Sequence, residues 1–205
     1  MEGIRAVLFD LGETLLDETR IWDAWADRLG VPRFTFHALA GAAIERGDHP
    51  SAVVRLFGRS ADEGPWQGFE ARDLYPDAVP VLGEIHGRGY RVVVGGNQPA
   101  AREEQVRSLG LPVDLVVSSG SLGVEKPSPD FFRRAAAMLG VEPAATLSVG
   151  DRIDNDVLPA REAGCRTAFL RRGPWGILQA ERSDVTDADL HIGSLDELLG
   201  ELPPL

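Results

Sequence analysis

The residues best suited to chemistry in this chain are carboxylates placed where apolar runs end, together with one amine. Asp10 follows the run Ala6-Val7-Leu8-Phe9. Such a run reads as a strand buried on both faces of a parallel sheet, and the carboxyl ends of such strands are where α/β sheets hold ligands. Asp10 is therefore a nucleophile or metal ligand, or else a cap for loop amides, a role that suits Asp. Asp151, Asp154 and Asp156 fall within six residues behind another predicted strand, 146–149. Carboxylates that close repel one another unless hydrogen bonds or a cation compensate, and a hard divalent cation prefers oxygen ligands. Lys126 is the only lysine among the 21 Lys and Arg residues. Its compact ammonium offers a point charge that a guanidinium does not, with plain surface charge as the alternative. Gly95-Gly96-Asn97 ends a further run, and its glycines free the backbone to present amides to an anion.

These residues need elements to position them. From Asp77 the pattern alternates helix and strand, the signature of a parallel sheet, with strands predicted at 6–9, 90–94, 115–117, 146–149, 168–170 and 188–192. Asp77 is predicted to cap a helix reaching His86. Ser128 with Pro129 should open another helix, and Ser194 with Glu197 should form a capping box. Between residues 17 and 73 the pattern is helical instead. Trp22, Trp25, Ala26 and Leu29 share one face, Asp23, Asp27 and Arg28 lie opposite, and Gly30 and Pro32 stop the helix. With no strand among them, residues 17–73 read as a helical cap inserted into an α/β core made of 1–16 and 74–205. Trp22, Trp25, Phe34, Phe36, Trp66 and Phe69 read as the core of that insertion, with a substrate pocket as the alternative. His37 and His49 have no ligand spacing and read as solvated surface.

Composition narrows the function classes. A chain of 205 residues with 43% hydrophobic and 26% charged residues can bury a real core. A net charge of −11 excludes a general affinity for nucleic acid or acidic membranes, so an anionic substrate must be met by local positive charge. One cysteine, Cys165, makes no internal disulfide and no thiolate metal cluster. With no signal-peptide pattern and no membrane-length apolar run, the expected location is cytoplasmic.

The stretches Leu8-Phe9-Asp10-Leu11-Gly12-Glu13-Thr14, Glu125-Lys126-Pro127 and Val149-Gly150-Asp151 on to Asp156 occur in one order along the chain. Together they resemble the haloacid dehalogenase-like hydrolase superfamily over the whole chain. The resemblance implies a Rossmann-like parallel-sheet core with an inserted helical cap, and a phosphatase of a small phosphorylated metabolite. It implies that Asp10 attacks a phosphoryl group to form an aspartyl-phosphate, and that Lys126 pairs with the phosphoryl oxygens and with Asp10. Gly96, Asn97 and Lys126 would bind the phosphate. Magnesium would be held by Asp10, Asp151 and the Gly12 carbonyl, with Asp156 supporting the site through water or hydrogen bonds.

Two departures from the family pattern stand out. Gly12 replaces an aspartate that serves as general acid and base, a contribution of roughly 10²–10⁴-fold. Gly96 replaces a Ser or Thr whose hydroxyl holds the phosphoryl group, leaving only backbone amides there. Glu13 could reach back as a substitute acid, or simply cap or face solvent. The paired loss keeps a second possibility open: a catalytically degenerate member that binds a phosphorylated ligand or a partner. Within the superfamily, dehalogenases work without metal, which leaves the acidic cluster unexplained. Phosphonate hydrolases need a cap lysine, and Lys126 is the only lysine.

Overall fold

The computed structural model describes residues 1–60 and 68–205. Among them, six strands form one parallel sheet in the order β3-β2-β1-β4-β5-β6. The strands are β1 (Ala6–Phe9), β2 (Arg91–Gly96), β3 (Leu115–Ser118), β4 (Thr146–Gly150), β5 (Arg166–Leu170) and β6 (Leu190–Ile192). The central pair β1 and β4 is buried at every position: β1 is a continuous apolar run, and β4 buries Thr146 and Ser148, whose hydroxyls donate to the Glu142 and Asp156 carbonyls. Helices connect the strands. On one of them, Pro129–Met138, Phe131 and Phe132 pack with Leu8, Val93 and Val117 of the sheet.

The chain divides into two compact units, one of residues Met1–Leu16 with Phe69–Leu205, the other Asp17–Gly68. The second unit is helical, with helices Thr19–Leu29, Arg33–Glu45 and Ala52–Arg55. Its own core holds Trp25, Ala26, Phe36, Ala40, Ala43, Val53 and Val54, with Trp22 packed against it. Gly30 ends the first helix in the left-handed conformation (φ 68°), which glycine adopts without penalty. Trp22, Trp25 and Phe36 thus serve as core residues, whereas Phe34 is 86% exposed. Trp66 lies outside the described residues. His37 is bonded to Asp23 at 2.8 Å and His49 to Ser51 at 2.8 Å.

Residues 69–73, assigned to the insertion on sequence, fold with the sheet unit instead. Phe69 is buried, the Asp73 carboxylate accepts the Glu70 amide at 2.8 Å, and Leu74 forms an antiparallel bridge with Leu16. Two predicted caps also differ. Asp77 precedes the helix Ala78–Gly87 but makes no cap bond, because its carboxylate pairs with Arg172 and accepts the Leu195 amide. Ser194 makes no cap bond either, although Glu197 accepts the Gly193 amide at 3.0 Å. Ser128 does cap its helix, accepting from the Asp130 amide with Pro129 in the first turn.

Candidate active site

The sheet register does the first part of the positioning. Phe9 of β1 lies opposite Val149 of β4, so Asp10 and Asp151 leave the sheet on neighbouring strands at its carboxyl edge. The Asp10 amide donates to the Val149 carbonyl at 2.8 Å, which continues the ladder one residue beyond β1. The strand order also reverses here, since the connection from β1 runs to one side and β4 lies on the other. Crevices form at such reversals.

Asp156 reaches the same point by a turn. After Asp151 the chain winds into a single π-helical turn, Ile153–Val157, whose start is held by the Ile153 amide donating to Gln179 at 2.6 Å. Within it the Arg152 amide donates to the Asp156 carboxylate at 3.2 Å. The approach depends on Gly150, where a Cβ would run into the Asp156 side chain. Asp154 goes elsewhere, paired with the Arg152 guanidinium at 2.7 Å and accepting from Gln179 at 2.8 Å. Of the three neighbouring aspartates, two therefore face Asp10, and the third serves the turn.

Lys126 closes the group. Its Nζ donates to Asp10 Oδ1 at 2.7 Å and to Asp156 Oδ1 at 2.8 Å, while its side chain is buried near the rings of Phe131 and Phe132. The Lys126-Pro127 peptide bond is cis. Asn97, just beyond β2, bonds the backbone of Lys126 through both ends of its amide: Oδ1 accepts the Lys126 N–H and Nδ2 donates to the Lys126 carbonyl, each at 2.8 Å.

The charge balance explains how these groups titrate. Asp10, Asp151 and Asp156 place an oxygen each within 4.8 Å of one another, against the one ammonium of Lys126. Burial alone would push Lys126 down, but Asp10 and Asp156 outweigh it and hold the amine above its ordinary range. Asp151 is pushed well above the usual carboxylate range by burial, then by Asp156, Asp10 and Glu13, with Arg152 opposing. Asp156 is pushed up to about 6, by burial and Asp10 against the pull of Lys126. A cluster with excess negative charge keeps its ammonium charged and draws protons onto its carboxylates. Asp151 Oδ2 is moreover buried without a hydrogen-bond partner. A divalent cation fits this donor set, because it would satisfy that oxygen and offset the excess charge.

The loop after β1 is tightly wrapped, with the Leu15 and Leu16 amides both donating to Leu11 O at 2.9 Å. Glu13 sits in the left-handed region (φ 55°), uncommon for a residue with a side chain. Its carboxylate accepts the Tyr75 hydroxyl at 2.7 Å and lies against Gly173, where a Cβ would collide with it. Arg172 braces this corner, stacking 4.3 Å over the Tyr75 ring and donating to the Thr14 carbonyl at 2.9 Å. Sequence reasoning missed Tyr75, Arg172 and Gly173, which lie 62 to 160 positions from Glu13 and share no motif with it. Gly96 is buried at the end of β2, but a Cβ there would find Leu11 at 3.6 Å and Gln98 at 3.8 Å, ordinary contacts. Its neighbour Gly95 is tighter, with Val117, Leu8 and Phe131 at 3.1, 3.2 and 3.3 Å.

A family profile described as haloacid dehalogenase-like hydrolase matches residues 4–164. The chain belongs to that family. It is accordingly a hydrolase. Among curated relatives, a phosphoserine phosphatase of Thermus thermophilus is 36% identical over 218 residues, 97% of this chain and 85% of that protein. A phosphoglycolate phosphatase of Neisseria gonorrhoeae is 30% identical over 227 residues, 100% of this chain and 95% of that protein. Among solved structures, a haloacid dehalogenase-type phosphatase from Thermococcus onnurineus superposes with a TM-score of 0.68 at 24% identity, over 98% of this chain and 99% of that one, a likeness of fold.

Proposed function

We propose that this hydrolase is a magnesium-dependent phosphatase of small phosphorylated metabolites, working through a phosphoryl group carried on Asp10. The observation that carries the reading is the grip of Lys126 on both Asp10 and Asp156, beside an Asp151 oxygen that lacks a partner. The names of the two full-length relatives, both phosphatases, support the reaction class. The single, buried Cys165 suits a reducing compartment such as the cytoplasm.

Each residue then has a task. Lys126 holds one oxygen of Asp10 and so orients the other toward phosphorus. That oxygen forms a bond to phosphorus as the bond to the leaving oxygen breaks, and the electron pair departs with the leaving group. The Lys126 ammonium offsets charge on the phosphoryl oxygens, and the backbone amides at Gly96 and Asn97 bind them. Asp10, Asp151 and the Gly12 carbonyl would hold magnesium, with Asp156 supporting them, and the ion would supply further charge neutralisation at the site. Water then attacks phosphorus, its proton passes to solvent, and the bond to Asp10 breaks to release phosphate. A shallow, open hollow of about 510 Å³, lined by Asn97, Gln98, Ser119 and Glu125, lies beside the loop that carries Lys126.

With glycine at position 12, the leaving oxygen takes its proton from solvent. Substrates whose leaving groups are stable as anions, such as acyl and aryl phosphates, are favoured over alkyl esters by about 3–5 kcal/mol of barrier. A panel of these three classes with magnesium tests the proposal. Turnover of acyl and aryl phosphates, abolished in Asp10→Asn, is expected. Equal rates on alkyl and aryl esters would contradict the role assigned to Gly12, and activity surviving Asp10→Asn would remove the nucleophile.

A further inference from the structure

We infer that Asn97 acts in this enzyme through its side chain as the positioning residue for Lys126, and that its amide head is not a phosphate ligand. The geometry is specific. An amide side chain carries one acceptor and one donor group, and here the acceptor takes the Lys126 N–H while the donor meets the Lys126 carbonyl, both at 2.8 Å. A side-chain amide that matches both polar groups of one residue's backbone fixes that residue as a further strand would. Lys126 lies in a loop between the short helix Ser119–Leu122 and the helix Pro129–Met138, so its backbone is not held by the sheet. Asn97 follows directly on Gly96, which is in register with Ser118 of β3. The pair thus ties the amine-bearing loop to the rigid end of β2.

The consequence is carried along the lysine side chain. Nζ must meet Asp10 at 2.7 Å and Asp156 at 2.8 Å at once, and these acceptors belong to two different loops. Displacing the Lys126 backbone would strain a side chain that has to meet both acceptors at once. Asn97 is itself exposed, so its bonds compete with water and add little to global stability. Its loss should therefore move the lysine without unfolding the domain. The functional weight of this role rests on the phosphatase reading, but the geometric claim does not.

Lys126 is the only lysine in the chain, which makes the claim directly measurable. An amine-reactive acylating reagent, followed by mass spectrometry of the whole protein and its peptides, reports on the accessibility of this one side chain. The amino terminus serves as the internal reference. Wild-type Lys126, buried between two carboxylates, should react far more slowly than the terminus. In Asn97→Leu and in Asn97→Asp, the latter keeping the acceptor and losing the donor, acylation of Lys126 should accelerate by on the order of tenfold. The terminal amine should keep its rate and the melting temperature should hold to within about 4 °C. Wild-type labelling in either folded variant would overturn the inference. So would loss of the fold in both, because Asn97 would then support the domain and not one side chain. None of these readouts requires turnover, so a failed substrate panel and a failed labelling experiment lead to separate conclusions.

Discussion

The carboxylate of Asp156 lies directly on the backbone of Gly150, in space that any other residue's Cβ would fill. Gly150 is the last residue of β4, and Asp156 is the last carboxylate of the turn that follows. The contact lets the turn fold back so that Asp156 meets Lys126. Gly150→Ala should therefore cost roughly 1–3 kcal/mol of stability, the usual range for overpacking a closed site. It should also weaken magnesium binding, since the displaced group is Asp156. Thermal unfolding and a magnesium titration of the variant measure both; an alanine enzyme with unchanged stability and affinity would show that the turn can yield.

Asp151 is fully buried with one oxygen unpartnered. Replacing it by asparagine removes a charge that the fold disfavours in the absence of metal. In a chelator at pH 7.5, Asp151→Asn should melt higher than the wild type by about 2–4 °C, the shift that roughly 1 kcal/mol gives a chain of this size. The same variant should lose the thermal shift that magnesium confers on the wild type. A lower melting point in chelator would mean that Asp151 is satisfied by its protein neighbours alone.

The raised carboxylates set a pH dependence with a definite sign. Asp156 is pushed up to about 6 in the folded protein from an ordinary 3.8, chiefly by burial, and burial with the neighbouring carboxylates also pushes Asp151 well above its ordinary range. The folded, metal-free chain thus binds more protons than the unfolded chain above about pH 4, so these two groups remove stability as pH rises through 6. Magnesium bound as proposed would displace those protons and restore what is lost. The rise in melting temperature on adding millimolar magnesium should be several degrees larger at pH 7.5 than at pH 5. Equal shifts at the two pH values would separate the metal effect from these carboxylates.

Gly12 and Gly96 are open to restoration. Gly12→Asp places a carboxyl group where the family resemblance expects the general acid and base, and should raise turnover of alkyl phosphates by roughly 10² or more. Aryl phosphates should gain much less, flattening the dependence on leaving group. At Gly96 the nearest neighbours of a new Cβ stand 3.6 to 3.9 Å away, ordinary contacts that leave room for a Cβ. Gly96→Ser should lower KM roughly tenfold, the worth of one hydrogen bond to a charged oxygen. Steady-state kinetics on the two substrate classes decide both cases, and a gain confined to aryl esters in Gly12→Asp would argue against the missing-acid account.

All six strands and the order of the site motifs were legible in the residues themselves. Period and burial make that possible: a strand buried on both faces reads as a mostly apolar run, which Asp10 and Gly96 follow or end, while Asp151 follows the buried strand Thr146–Gly150. The retained lysine was legible because no other lysine competes with it. Other assignments turned on distant partners. Asp77 looked like a helix cap until Arg172 and the Leu195 amide claimed its carboxylate. Residue type and spacing alone did not separate Asp154 from Asp156, which only the family resemblance singled out; the π turn and the Gly150 contact send one to Arg152 and the other to Lys126.

By itself, then, the sequence determined the sheet and the chemical types available at its edge, because local periodicity and residue type are properties of short stretches. Which groups share a charge was decided by tertiary structure alone. Coulomb attraction and hydrogen bonding act over a few ångströms, and no spacing along the chain states that Tyr75 meets Glu13 or that Asn97 holds the backbone of Lys126.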